Sequence, residues 1–104
     1  MKRDVFAPAA RRDLSEAASW LARTSPEAAE AFIAAVVRGA KLVRERPLIG
    51  RERPELLPTL YRFWRVSRFP YVLAYNAERR PPLIVRVLHM ARDLSAVLAD
   101  LDET

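Results

Sequence analysis

The 104 residues carry a formal net charge of +5, no cysteine and a single histidine. That length suits one domain, expected to span 1-104; the missing thiols exclude disulfides, thiolate catalysis and zinc fingers; and one histidine among scattered carboxylates is a poor basis for a metal site. No apolar run approaches the roughly 20 residues of a membrane helix, and the opening MKRDVF lacks a signal-peptide pattern, so a soluble, cytoplasmic protein with no membrane partner is expected.

Lys2 to Phe6 can form a first short strand. Ala7-Pro8-Ala9 leads into a helix to about Arg23, on which Leu14, Ala17, Ala18 and Leu21 recur at helical spacing and form one apolar stripe. Ser25-Pro26-Glu27 restarts the chain. Ser25 suits the capping position, Pro26 the first helical position, and Glu27 the positive end of the helix dipole. The second helix is expected to run to about Glu45, with Ala29, Phe32, Ile33, Val36, Val37, Ala40 and Val43 on a broad apolar face, and Pro47 stops it. So short a link makes the two helices an antiparallel hairpin.

The stretch PLIGRERPELLP, residues 47–58, holds three prolines and a glycine and reads as a loop. Leu60 to Val66 and Tyr71 to Asn76 read as a β-hairpin, and Leu83 to His89 as a further strand. A last short helix is expected from Ala91 to Leu101, with Leu94, Val97, Leu98 and Leu101 inward. The fold class is therefore α+β, in the order β-α-α-β-β-β-α. A helical hairpin packs on a small, twisted, mostly antiparallel sheet, and a short helix closes the chain.

Two features bear on function. Sixteen of the eighteen basic residues are arginine, the side chain that pairs with phosphate or carboxylate through a planar fork. They concentrate in the middle of the chain, while the last eleven residues are acidic. A basic middle calls for an acidic partner, either nucleic acid or an acidic protein. Arg62, Arg65, Arg68 and Arg86 project from neighbouring strands or their turns, as phosphate ligands or as solvated residues that discourage edge pairing. The second feature is VRVLHMARD, residues 85–93. Strict alternation puts Leu83, Val85, Val87 and His89 on one face. As a general base His89 would need a nucleophile and an orienting partner, and no serine stands in a nucleophile-elbow context. His89 is thus expected to close a strand and bond to a neighbouring carboxylate or backbone group. Asp93 is placed to cap the last helix, and Arg92 to pair with Asp93 or the acidic tail.

The residues from Ala10 to Leu14, Pro26-Glu27-Ala28-Ala29 with Phe32-Ile33, Pro47 to Arg51 with Pro54-Glu55-Leu56, Arg62-Phe63, Arg68 to Tyr75, and Arg86 to Asp93 together resemble the ParE/RelE superfamily of type II toxin–antitoxin toxins, over nearly the whole chain. The likeness is to the ParE-like branch. RelE-like members cleave mRNA on the ribosome with basic residues on the sheet, for which Arg62, Arg65 and Arg86 would stand here as catalytic residues. ParE-like members poison DNA gyrase. The chain lacks the tyrosine that many ribonuclease members carry after the last strand, and has His89 and an acidic C-terminal helix instead. The resemblance therefore implies a non-catalytic gyrase poison without cofactor or metal, with mRNA cleavage as the alternative. It also implies a hetero-oligomer with a cognate ParD-like antitoxin. A further alternative is a nucleic-acid-binding module that stacks bases on Tyr61, Phe63, Trp64 and Tyr71. Target contacts are expected from Arg62, Arg65, Arg68, Arg86, His89 and Arg92, and antitoxin contacts from Trp20, Phe32, Val36 and Leu98.

Overall fold

The computed structural model describes residues 5–101 and 103. Helix α1 (Pro8–Ala22) opens with Pro8 in its first turn, where the missing N–H costs nothing. Its buried stripe is Ala10, Asp13, Leu14 and Ala17; an acid occupies a core position, and Ala18 is only half-buried. Helix α2 (Pro26–Glu45) is capped as expected, with the Ser25 hydroxyl accepting from the Ala28 N–H at 3.1 Å. It buries Ala29, Phe32, Ala35, Val36, Gly39, Ala40 and Val43, so Ile33 and Val37, expected inward, stay partly exposed.

Four antiparallel strands follow, β1 (Arg51–Glu52), β2 (Tyr61–Arg65), β3 (Tyr71–Asn76) and β4 (Leu83–His89), in spatial order β1-β2-β3-β4. The two-residue β1 lies inside the segment read as loop, where it pairs Arg51 with Phe63 and Glu52 with Arg62. Of the expected first strand, residues 2–4 lie outside the described residues. Phe6 makes one parallel bridge to Ile84. Helix α3 (Leu94–Leu98) is shorter than expected. Asp93 caps it, its Oδ1 accepting from the Ala96 N–H at 3.3 Å.

Strand β4 does not alternate strictly. Ala74 pairs with Arg86 but Tyr75 with Ile84, so Val85 is an extra, bulged residue. Leu83 and Val85 consequently join one core cluster while Ile84 and Val87 join the other, which corrects the single face read from the sequence.

Both faces of the sheet are covered. On one, α1 packs over β4 and α2 over β2 and β3, around Phe32, Val36, Val43, Leu73, Tyr75 and Ile84. On the other, Leu57 from the loop and Leu98 from α3 pack on Phe63, Val72, Val85 and Leu88. The chain end is tied to this second face. The Glu103 carboxylate accepts from the Tyr61 hydroxyl and from Asn76 Nδ2 at 3.1 Å, and pairs with Arg79 at 3.5 Å.

This latch has a pH signature. Burial raises Glu103, but the bonds from Tyr61 and Asn76 and the charge of Arg79 outweigh it, leaving its pKa below the ordinary 4.5. A depressed carboxylate stabilises fully above the ordinary value and loses that contribution as pH falls through the folded one. Burial first, then the bond to Glu103, pushes Tyr61 up to about 12. Its contribution is therefore complete below the ordinary 10.0 and gone past about 12. Asn76 side-chain amide shifts should accordingly hold through neutral pH and move below the ordinary carboxylate range. Glu103→Gln should abolish that acid step; an unchanged step in the variant would show that the latch does not produce it.

Candidate target-contact site

Asp13, Glu16, Ala17 and Trp20 stand at three- and four-residue spacing on α1, on one side of the helix. Across from them lie Tyr71 at the start of β3, Val87 and His89 on β4, and Arg92. These eight residues line a cleft of about 190 Å³. That is below the roughly 300–1,000 Å³ of drug-sized ligand sites and suits a side chain of a macromolecular partner.

One buried ion pair builds the cleft's floor. Asp13 accepts from Arg86 Nε at 2.6 Å and Nη2 at 2.9 Å, and from the Val87 N–H at 2.9 Å. The pair is bidentate, the strong form of this interaction, and it fastens α1 to β4. The hydrogen bond to Asp13 raises the Arg86 pKa against the opposing effect of burial. Both oxygens of Asp13 are occupied, so it holds the site rather than moving protons.

His89 packs edge-on against Tyr71, ring centroids 4.9 Å apart, and Tyr71 in turn leans on Phe32 at 4.8 Å. The His89 Nδ1 accepts from the Ala91 N–H at 3.0 Å. In a neutral imidazole that bond places the proton on Nε2. The free nitrogen is then a donor, and the lone pair a general base would use is committed to the backbone. Tyr71 is raised by burial more than the charge of Arg92 lowers it, so at neutral pH it is an uncharged phenol.

The expected site residues separate into groups. His89, Arg92 and Trp20 meet in this cleft, and Arg86 reaches it only through its pairing with Asp13, although Trp20 was expected to serve the antitoxin and the other three the target. Arg86 is spent on Asp13. Arg62 is spent on the loop before β2, donating to the Gly50 carbonyl at 2.9 Å and pairing with Glu52 at 3.2 Å. Arg65 is exposed at the end of β2, and exposed Arg68 turns the hairpin with φ 71°. Arg92 makes no ion pair among the described residues, contrary to its expected pairing with Asp93 or the tail. Of the antitoxin candidates only Trp20, 65% exposed, offers surface. Phe32, Val36 and Leu98 are at most 2% exposed and are core residues in this conformation. Asp13 and Glu16 are not among the residues expected to act, and Tyr71 is expected only as a base-stacking surface. The available signal was Asp13 in line with Ala10, Leu14 and Ala17, since an acid on an apolar stripe must find a cation.

A family model described as "ParE toxin of type II toxin-antitoxin system, parDE" matches residues 5–94. No curated protein matches the chain in sequence. Among solved structures, a chain of the "Chromosomal ParDE TA system from P. aeruginosa" superposes with a TM-score of 0.67 at 20% identity, covering 81% of this chain and 90% of that one. At that identity the likeness is one of fold.

Proposed function

Because the chain belongs to the ParE toxin family of type II toxin–antitoxin systems, we propose that it arrests growth by poisoning DNA gyrase in the cytoplasm, without catalysis of its own, and that a cognate ParD-like antitoxin neutralises it. The observation that carries this reading over mRNA cleavage is the state of the sheet. A sheet-borne nuclease needs free, convergent bases on an open face. Here both faces are packed, Arg62 and Arg86 are committed to structural pairs, and among the described residues Arg65 has no acidic partner. The cleft of Trp20, Tyr71, His89 and Arg92 offers an indole, a phenol, an imidazole N–H and a guanidinium, a set suited to gripping a protein surface. No described helix is long and apolar enough to cross a membrane.

The antitoxin reading is supported by charge and by exposed apolar surface. A +5 chain with Trp20, Ile33 and Val37 exposed on its helical hairpin suits an acidic, amphipathic segment that orders on binding and forms a hetero-oligomer.

The test is DNA supercoiling by purified gyrase, titrated with the full chain freed from its antitoxin. Inhibition with trapped cleaved DNA is expected. A folded sample that leaves gyrase untouched but cleaves ribosome-bound mRNA would overturn the reading. Within it, His89→Ala should change stability by less than about 1 kcal/mol and weaken gyrase inhibition several-fold without abolishing it. Complete loss of inhibition with an unchanged melting curve would make His89 indispensable and contradict its assignment as one contact among several.

A further inference from the structure

A second groove lies on the other side of the molecule's helical layer. It runs between α2 and the end of β2, has a volume of about 230 Å³, and is lined among others by Arg38, Gly39, Trp64, Arg65 and Ser67. Two features make it a built site. First, the indole packs directly on the helix at Gly39: a Cβ there would meet Trp64 Cδ1 at an ordinary 3.5 Å, while the close neighbour is Leu73 Cδ1 at 3.1 Å. Second, β1 pairs only with Arg62 and Phe63, so nothing from that strand covers β2 at Trp64 and Arg65.

The groove's polar groups are nearly all donors. Arg38 and Arg65 have no acidic partner, and Trp64 Nε1 has no acceptor, among the described residues. No carboxylate lines the groove. Basic residues continue beyond it: exposed Arg68 in the adjoining turn, and exposed Lys41 and Arg46 along α2. Arg46, just past the end of α2, is eight positions after Arg38, about 12 Å along the helix axis, which is the reach of a few successive phosphates.

We propose that this groove binds a single strand of nucleic acid, with a phosphate between Arg38 and Arg65 and a base against Trp64. Guanidinium groups beside a half-buried indole that keeps part of its surface open form the combination that grips phosphate and stacks on bases. The row of further cations favours a polyanion over one small anion. An acidic protein segment would satisfy the charges but not use the planar surface. The site is separate from the Trp20–His89 cleft and does not depend on gyrase being the target.

The test is fluorescence anisotropy of the full chain with a labelled single-stranded DNA oligonucleotide across a salt series. Arg38→Gln and Arg65→Gln should each weaken binding about five- to tenfold and flatten the salt dependence. Arg12→Gln, which removes the same charge from an exposed position on α1, should change it less than twofold. In a Trp20→Phe background Trp64 is the sole indole, and its emission should be quenched as the oligonucleotide binds. The proposal is overturned if Arg12→Gln weakens binding as much as Arg38→Gln, since net charge alone would then act. It is also overturned if Trp64 emission does not respond, if a mononucleotide binds as tightly as the strand, or if a poly-glutamate peptide of equal charge competes equally well.

Discussion

Asp13→Ala should lower stability by about 3 kcal/mol, the largest effect expected of any charged position. The change strands Arg86, whose side chain is 19% exposed and so recovers only part of its hydration. It also removes the acceptor of the buried Val87 N–H, a loss of about 1–3 kcal/mol on its own. For a domain of this size 3 kcal/mol corresponds to a fall in melting temperature of roughly 12–20 °C. Replacing both Asp13 and Arg86 with leucine should cost clearly less than the sum of the single changes, because no charge is then left unpaired. A loss under about 1 kcal/mol for Asp13→Ala would mean that α1 and β4 are held by apolar packing alone.

Phe32→Ala should cost about 3–5 kcal/mol. Phe32 is fully buried in α2 and touches Phe69 edge-on at 5.3 Å as well as Tyr71. The cavity would open directly behind Tyr71, which braces His89. The expected result is therefore double: a lower denaturation midpoint, and a shift of the His89 ring resonances passed on through Tyr71, which packs on both rings. Phe32→Leu, keeping most of the volume, should restore most of the stability and part of the ring position. A destabilised variant with unmoved His89 resonances would show that the cleft is positioned from β4 alone.

Much of this fold could be read from the chain because its local signals agree with its packing. Ser25-Pro26 marks the restart of the helix, Pro47 its end, and Asp93 the start of α3, each by local backbone chemistry that needs no distant partner. Elements governed by long-range pairing were harder to read. The two residues of β1 carry no periodicity, and only their partners on β2 make them a strand. The bulge at Val85 is likewise invisible, since alternation cannot announce the residue at which it fails. The site was legible in its parts but not in its grouping. His89, Arg92 and Trp20 each stand out in the sequence, yet only the tertiary fold sets them side by side. The same fold gives Arg62 and Arg86 a carboxylate each and buries Phe32, Val36 and Leu98.

The separation of Asp13 and Arg86 by 73 positions and the place of Leu98 in α3, after the last strand, also set a timetable. During synthesis α1 emerges early with a carboxylate in its apolar stripe and nothing to neutralise it. The second face of the sheet stays uncovered until α3 is made. A chain released before β4 has neither its central ion pair nor its full set of buried leucines, and one released between β4 and α3 still lacks Leu98. A stable fold therefore needs both Arg86 and Leu98 in place, and a fragment that stops short of them is expected to be open to proteolysis.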